Sequence, residues 1–201
     1  EPVRLRGNAQ LKLDSSIQLP HAALWDVGSP SLYACETTIT SEDGVIVDSV
    51  VNTFGVRQIH WDSSKGLILN GLHVKVQGMC NHQDFAGCGV AVPDALQAFR
   101  VAKIRDMGGN AWRAAHNPPS VALLNECDRQ GILVWDENHR NPDTPEAPED
   151  VRSMVLRDRN HPSVFTWSLC NEAICGSWNP GRASELRRLI SSLDPHGGRA
   201  V

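Results

Sequence analysis

The spacing of apolar positions changes near residue 60. Before that point they alternate with polar ones, as on half-buried strands. Gln10 to Leu13 and Leu32 to Thr40 read this way. Glu42-Asp43-Gly44 supplies hairpin turn chemistry ahead of the β-branched run Val45-Ile46-Val47 and of Val50-Val51. The pattern predicts part of an antiparallel sandwich, cut off on its N-terminal side. From residue 66 strands and helices alternate. Leu67 to Gly71 begins a hairpin turning at Asn70-Gly71, and Val74 to Gly78 is the next strand. Pro93-Asp94 opens a helix reaching about Met107, stopped by Gly108-Gly109, with its apolar residues spread around the axis. Asn110 to Ala114 is a strand. Ser120 to Gln130 is a helix with Leu123, Leu124 and Cys127 on one face and Gly131 as its cap. Ile132 to Trp135 is a buried-strand run. After the loop Asn138 to Pro148, Val151, Met154 and Val155 mark a short helix, and Val164 to Leu169 is a fourth strand. Leu186, Leu189, Ile190 and Leu193 form the apolar stripe of a helix over Arg182 to Leu193, and Arg199 to Val201 begins a fifth strand.

Alternating strands and helices imply a parallel sheet. Four such units suit the first half of an eight-fold barrel, since a complete one takes roughly 250 residues. The expected fold class is therefore α/β: a partial TIM (β/α)8 barrel of about four βα units, preceded by a partial immunoglobulin-like β-sandwich. The boundaries are residues 1–62 for the sandwich and 63–201 for the barrel. The alternative is an open doubly wound sheet, but no Gly-rich phosphate loop follows the first strand.

The net charge of −4 over 201 residues gives no reason to expect nucleic acid or a membrane surface as partner. No apolar run approaches the roughly 18 residues of a membrane helix. The chain opens on Glu1-Pro2, so a missing leader says nothing about compartment, and localisation and oligomeric state stay undefined. The six cysteines contain no CxxC pair and read as buried free thiols. Neither HxH nor HExxH occurs, so no metal and no cofactor is expected.

Polar residues gather just after each barrel strand. They are Asn81 to Asp84 after the first, then Arg113, His116 and Asn117, then Asp136 to His139, then Asn171 and Glu172. In a barrel these ends meet at one face and ring one pocket.

On these stretches the chain resembles glycoside hydrolase family 2, the family of β-galactosidases, β-glucuronidases and β-mannosidases. Leu24-Trp25 to Tyr33 and Thr53 to Arg57 are similar to the immunoglobulin-like domain that precedes the barrel. Gly78 to Asp84, Asn110 to Pro118, Cys127 to Gly131 with Asp136 to Asn138, and Asp158 to Val164 with Trp167 to Glu172 resemble the family's first four strand signatures. The resemblance implies a retaining glycosidase acting on terminal β-linked sugars. Glu172 would be the general acid/base, and Asn171 would bind the sugar 2-hydroxyl. Arg113 would lie beside the nucleophile and keep it ionised. His82 and His116 would contact the sugar or order the pocket. Asp84 is a candidate for hydroxyl binding and Trp178 for sugar stacking, while Trp167 is divided between pocket and core.

The Asn-His-Gln-Asp run and residues 89–94 lean towards the β-galactosidase branch. The alternatives are β-glucuronidase or β-mannosidase specificity, or a non-catalytic sugar-binding relative. Two departures stand out. Asn138 to Pro142 lacks the metal-binding residues some members carry there. The family's nucleophile is a Glu on a later strand, beyond this chain, so the fragment alone is expected to be inactive. Glu185 sits inside a predicted helix and is read as a solvated ion-pairing residue.

Overall fold

The computed structural model describes residue 7, residues 9–172 and residues 179–201. The chain begins with an antiparallel hairpin of β1 (Tyr33–Thr40) and β2 (Ile46–Phe54), in register from Tyr33 opposite Phe54. The rings of that first pair stack at 5.7 Å. A small antiparallel sheet follows, of β3 (Ile59–Asp62), β4 (Gly66–Leu69) and β5 (Leu72–His73). A four-stranded parallel sheet then runs β6 (Gly78–His82), β7 (Ala111–Ala115), β8 (Leu133–Glu137) and β9 (Val164–Ser168), in that spatial order. Helices α1 (Asp94–Asp106), α2 (Val121–Gln130) and α3 (Ala147–Asp158) make the crossovers, and α4 (Pro180–Leu193) follows β9. Neighbouring strands that are consecutive in sequence and joined by helices are the first half of a (β/α)8 barrel.

Helices α2 and α4 have local reasons to start where they do. Ser120 Oγ accepts the Leu123 N–H at the head of α2, and Gly131 ends it at φ 69° with its N–H on the Cys127 carbonyl. Only glycine suits Gly131 on two counts, because a Cβ there would also lie 2.5 Å from the Val27 carbonyl oxygen. Asn179 caps α4 by accepting the Gly181 N–H, with Pro180 at the first position. The buried face of α1 is Gln97, Val101 and Ile104, which resolves its scattered apolar pattern.

Two expectations are corrected. Gln10 to Leu13 forms no strand and lies exposed. The first barrel strand is not Val74 to Gly78 but Gly78 to His82. Before Gly78 the chain is tied by Gln77, whose N–H goes to Asn110 Oδ1 and whose carbonyl takes the Asn110 and Ala111 N–H groups. Parallel pairing begins only at Gly78 opposite Ala111. The β-branched Val74 and Val76 carry a strand signature that the ladder does not use. Where a fifth strand is expected to begin, Ala200 makes a parallel bridge to Thr166 of β9.

The core has two parts. Between sheet and helices lie Val101, Trp112, Leu124, Cys127, Val134, Val155, Trp167, Leu186 and Ile190, among others. Trp167 is thus core, its Nε1 donating to Asp194 at 3.1 Å. The second cluster joins Trp25, Leu67 and Leu69 to Ala111, Leu133 and Phe165 at the starts of the barrel strands. The small sheet therefore closes the N-terminal end of the barrel and leaves the C-terminal end for the polar residues. At the junction, Arg57 donates to the carbonyls of Pro162, Val164 and Gly197. Burial, with Arg199 nearby, pulls its guanidinium down to about 9, still charged at neutral pH. Gly55 is needed there too, since a Cβ would meet Pro162 at 2.7 Å and Trp25 at 3.0 Å. Among the cysteines, Cys127 is a buried thiol as expected, Cys80 is an exposed one, and Cys170 is disulfide-bonded rather than free.

One buried acid faces the helices. Asp136 is fully buried and neither carboxyl oxygen has a hydrogen-bond partner. Asp158, also buried, is held by Arg157 Nε at 2.6 Å and Nη2 at 2.7 Å. Burial first, and the Asp158 charge second, raise the Asp136 carboxyl well above the usual range. A proton on Asp136 supplies the donor that two carboxylates lack. Because its folded value lies above the unfolded one, its contribution to stability is full below about pH 4 and is lost as pH rises through the folded value. Asp136→Asn, whose amide donates at any pH, should flatten that loss. The check is chemical denaturation of both proteins at pH 5 and pH 9, and an unchanged difference between the two pH values would contradict the assignment.

Candidate functional site

The sequence residues expected at the strand ends come from four consecutive strands. Side chains alternate across a strand, so on β8 Asp136 faces the helices while its neighbour Glu137 faces the barrel interior. Glu137 is fully buried and is the centre of the site. Its Oε2 accepts Arg113 Nη2 at 2.5 Å, and its Oε1 pairs with His116 Nδ1 at 2.6 Å. Ser168 Oγ, at the end of β9, lies 3.1 Å from Oε2. The register explains the meeting. Glu137 pairs with Ser168 across β8 and β9, and Arg113 pairs with Trp135 across β7 and β8, two residues before Glu137 on the same face.

Arg113 is the branching point. The same Nη2 that holds Glu137 donates to Asn171 Oδ1 at 2.9 Å. Its Nη1 reaches Cys80 Sγ on β6 at 3.2 Å, and its guanidinium lies over the Trp135 ring at 5.3 Å. Burial opposes its charge, but the Cys80 and Glu137 contacts outweigh this and raise its pKa. A carboxylate only accepts, so the imidazole proton shared with Glu137 is assigned to His116 Nδ1. The His82 ring meets His116 edge to face at 5.2 Å.

A cavity of about 210 Å³ opens above this node, lined by His116, Glu137, Asn138, His139, Arg140, Asn141, Cys170, Asn171 and Glu172. Glu172 is exposed and holds a left-handed backbone at φ 54°. A non-glycine residue pays for that conformation, and such residues cluster where a side chain must be aimed.

Of the expected site residues, Arg113, His116 and Asn171 are hydrogen-bonded into one node or adjoin it. His82 touches it through His116, and Glu172 lines the same cavity. Asp84 does not join: it lies exposed in the loop after β6, where its charge acts on Arg100. Trp178 lies outside the described residues. Ser168 was missed, because a serine in an apolar run carries no signal of its own. From the sequence, Glu137 and Asp136 alike are divided between the pocket and the layer behind it. Strict alternation along Leu133 to Glu137 was the signal that separates the two. Among the described residues, no group of three or more His, Cys, Asp or Glu side chains is gathered as a metal site would require.

Comparison with known proteins places the chain in a family. The family model described as "Glycosyl hydrolases family 2" matches residues 2–57, and that of its TIM barrel domain matches residues 62–143 and 139–197. The chain is therefore part of an immunoglobulin-like sandwich followed by part of a TIM barrel. It is 35% identical over 175 residues to a β-galactosidase of Bacteroides ovatus, BoGH2A, covering 81% of the chain and 20% of that protein. It is 37% identical over 189 residues to a putative β-glucuronidase of Formosa agariphila, covering 86% of the chain and 17% of that protein. The chain thus spans about a fifth of the length of these curated relatives. Among solved structures, a β-galacturonidase from Eisenbergiella tayi bound to galacturonate superposes with a TM-score of 0.80 at 32% identity, over 91% of this chain and 34% of that one. A β-glycosidase from Bacteroides vulgatus gives 0.79 at 34% identity, over 87% and 24%.

Removing one partner from a buried ion pair leaves the other charge stranded. Arg113→Met should therefore destabilise the fold by about 2–4 kcal/mol, with the surviving His116 contact limiting the loss. Arg113→Met combined with Glu137→Leu should recover a good part of it. Denaturation of the two single variants and the double variant measures the coupling, and simple additivity would contradict the node.

Proposed function

Because the chain belongs to glycosyl hydrolase family 2, we propose that it is part of a retaining glycosidase acting on terminal β-linked sugars. The observation that carries this reading is the pair Asn171-Glu172 at the mouth of the sheet, with Asn171 bound to Arg113 and Glu172 on the same cavity. Glu172 is the general acid/base. In the first step it gives its proton to the glycosidic oxygen as a second carboxylate attacks the anomeric carbon, and the aglycone leaves as the alcohol. In the second step Glu172 takes a proton from water, which attacks the same carbon and releases the sugar and the nucleophile.

Retention needs the two carboxyl groups about 5–5.5 Å apart. We assign the second to a later barrel strand beyond residue 201, so that residues 1–201 alone should not hydrolyse glycosides. Asn171 binds the 2-hydroxyl, His82 and His116 bind the sugar, and Arg113 lowers the pKa of the incoming nucleophile. Trp178 remains the proposed stacking platform, and Asp84 a proposed hydroxyl ligand that must move inward to act.

β-Galactosides are placed first as substrates, on the Asn81-to-Asp84 run, residues 89–94 and the likeness to BoGH2A. The second reading is a β-linked uronic acid. It is favoured by the relatives and neighbours named as β-glucuronidases and β-galacturonidase. A panel of aryl glycosides carrying galactose, glucuronate and galacturonate, given to the full-length protein, separates them.

General acid–base groups contribute typically 10²–10⁴-fold. Glu172→Gln should lower turnover of poor leaving groups by about that factor. Activated aryl glycosides should be rescued by azide, yielding the glycosyl azide with retained configuration. Undiminished activity on an unactivated substrate would overturn the assignment.

A further inference from the structure

We propose that Glu137 is a positioning residue, which acts on the sugar through Arg113 and Asn171. The inference rests on the glycosidase reading above and deepens it. Glu137 borders the cavity, but its surface is buried and both of its oxygens are taken by protein donors, so it acts on the substrate through those partners.

An asparagine amide has a donor end and an acceptor end, and its aim depends on which end is occupied. Here Arg113 Nη2 donates to Asn171 Oδ1, so the acceptor end is taken. The Nδ2 end is left to donate into the cavity. Arg113 can hold Asn171 this way only while its guanidinium plane is fixed. The fixing partner is Glu137 Oε2, on the same Nη2 nitrogen. Ser168 steadies that oxygen from β9, and His116 Nδ1 occupies the other oxygen. The carboxylate is thus clamped on both oxygens by groups from the ends of β7 and β9, the strands on either side of its own. The result is a relay: a buried acid orients a cation, the cation orients an amide, and the amide presents N–H groups to a sugar oxygen.

Partners of this kind, one contact removed from the ligand, typically cost 10–100-fold when changed.

A glutamine at 137 has one N–H₂ end and cannot accept from both Arg113 and His116. In the full-length enzyme, Glu137→Gln should lower kcat by about 10–100-fold with little change in KM. The Asn171 contact matters most as positive charge develops on the sugar ring. The loss should shrink to about threefold or less on the matching 2-deoxy aryl glycoside, where Asn171 has no hydroxyl to meet. In an Asn171→Ala background, adding Glu137→Gln should cost little more on the parent substrate. A merely structural role would reduce both substrates alike.

Should Glu137→Gln not fold, Arg113→Lys takes its place. It keeps a positive charge beside both Glu137 and the incoming nucleophile but has no planar fork to hold Asn171 as well, and the same selective loss is expected. Equal losses on the parent and 2-deoxy substrates, or additivity with Asn171→Ala, would overturn the relay. Glu172→Gln is run alongside. Full activity there would overturn the glycosidase reading itself, whereas the expected loss there with equal substrate effects for Glu137→Gln would overturn the relay alone.

Discussion

A carboxylate cannot be sealed inside a protein unless cations and donors come with it. Glu137 imposes that condition on this fold. It brings the guanidinium of Arg113 from β7, the imidazole of His116 from the loop beyond it and the hydroxyl of Ser168 from β9 to one point. Once they are there, little freedom is left for Asn171, which takes the remaining direction of Arg113. The polar end of the sheet is therefore a network built outward from one buried charge. Residues with no sequence proximity share it because parallel strands present their ends side by side.

The opposite end of the sheet shows the complementary solution. There the strand starts are apolar, and the small antiparallel sheet and Trp25 seal them. Trp25 donates its Nε1 to the Asp128 carbonyl at the end of α2. The Asp128 side chain in turn accepts from His161 and from the Ser163 backbone at the entry to β9. Arg57 fastens the end of the leading segment to the same entry. The strand that delivers Asn171 and Glu172 is thus anchored at its start by residues from the sandwich side. Among the described residues none from the sandwich lines the cavity, so its link to the site runs through the start of that strand.

Much of this was legible from the sequence. Capping residues marked α2, and the stripe Leu186, Leu189, Ile190 and Leu193 marked α4, because local chemistry decides those elements. The phasing of polar clusters with strands pointed to one face of a barrel. What could not be read depended on pairing between distant segments. Residues 74–76 have strand chemistry, but the ladder starts at Gly78 because Asn110 and Ala111 tie Gln77 first. Asp84 carries the right functional groups for sugar, yet its loop holds it away from the node. Trp167 has an aromatic face suited to a sugar, but it sits at the second residue from the end of β9 on the side facing the helices. Nothing local in the sequence separates such a tryptophan from one in a pocket.

Asp136 and Glu137 are adjacent, identical in charge by formula, and treated oppositely by the fold. One is pushed towards its neutral form against the helices, and the other accepts from a guanidinium and an imidazole inside the barrel. Only the pleat of β8 sorts them. A single inserted or deleted residue upstream in that strand would exchange the two environments at once, leaving an anion among apolar helices and a side chain one carbon shorter beneath the cavity. No intermediate register satisfies either acid. Variation in this segment should therefore run by substitution, with length changes confined to the loops on either side. The third strand serves as a ruler against which the rest of the polar face is set.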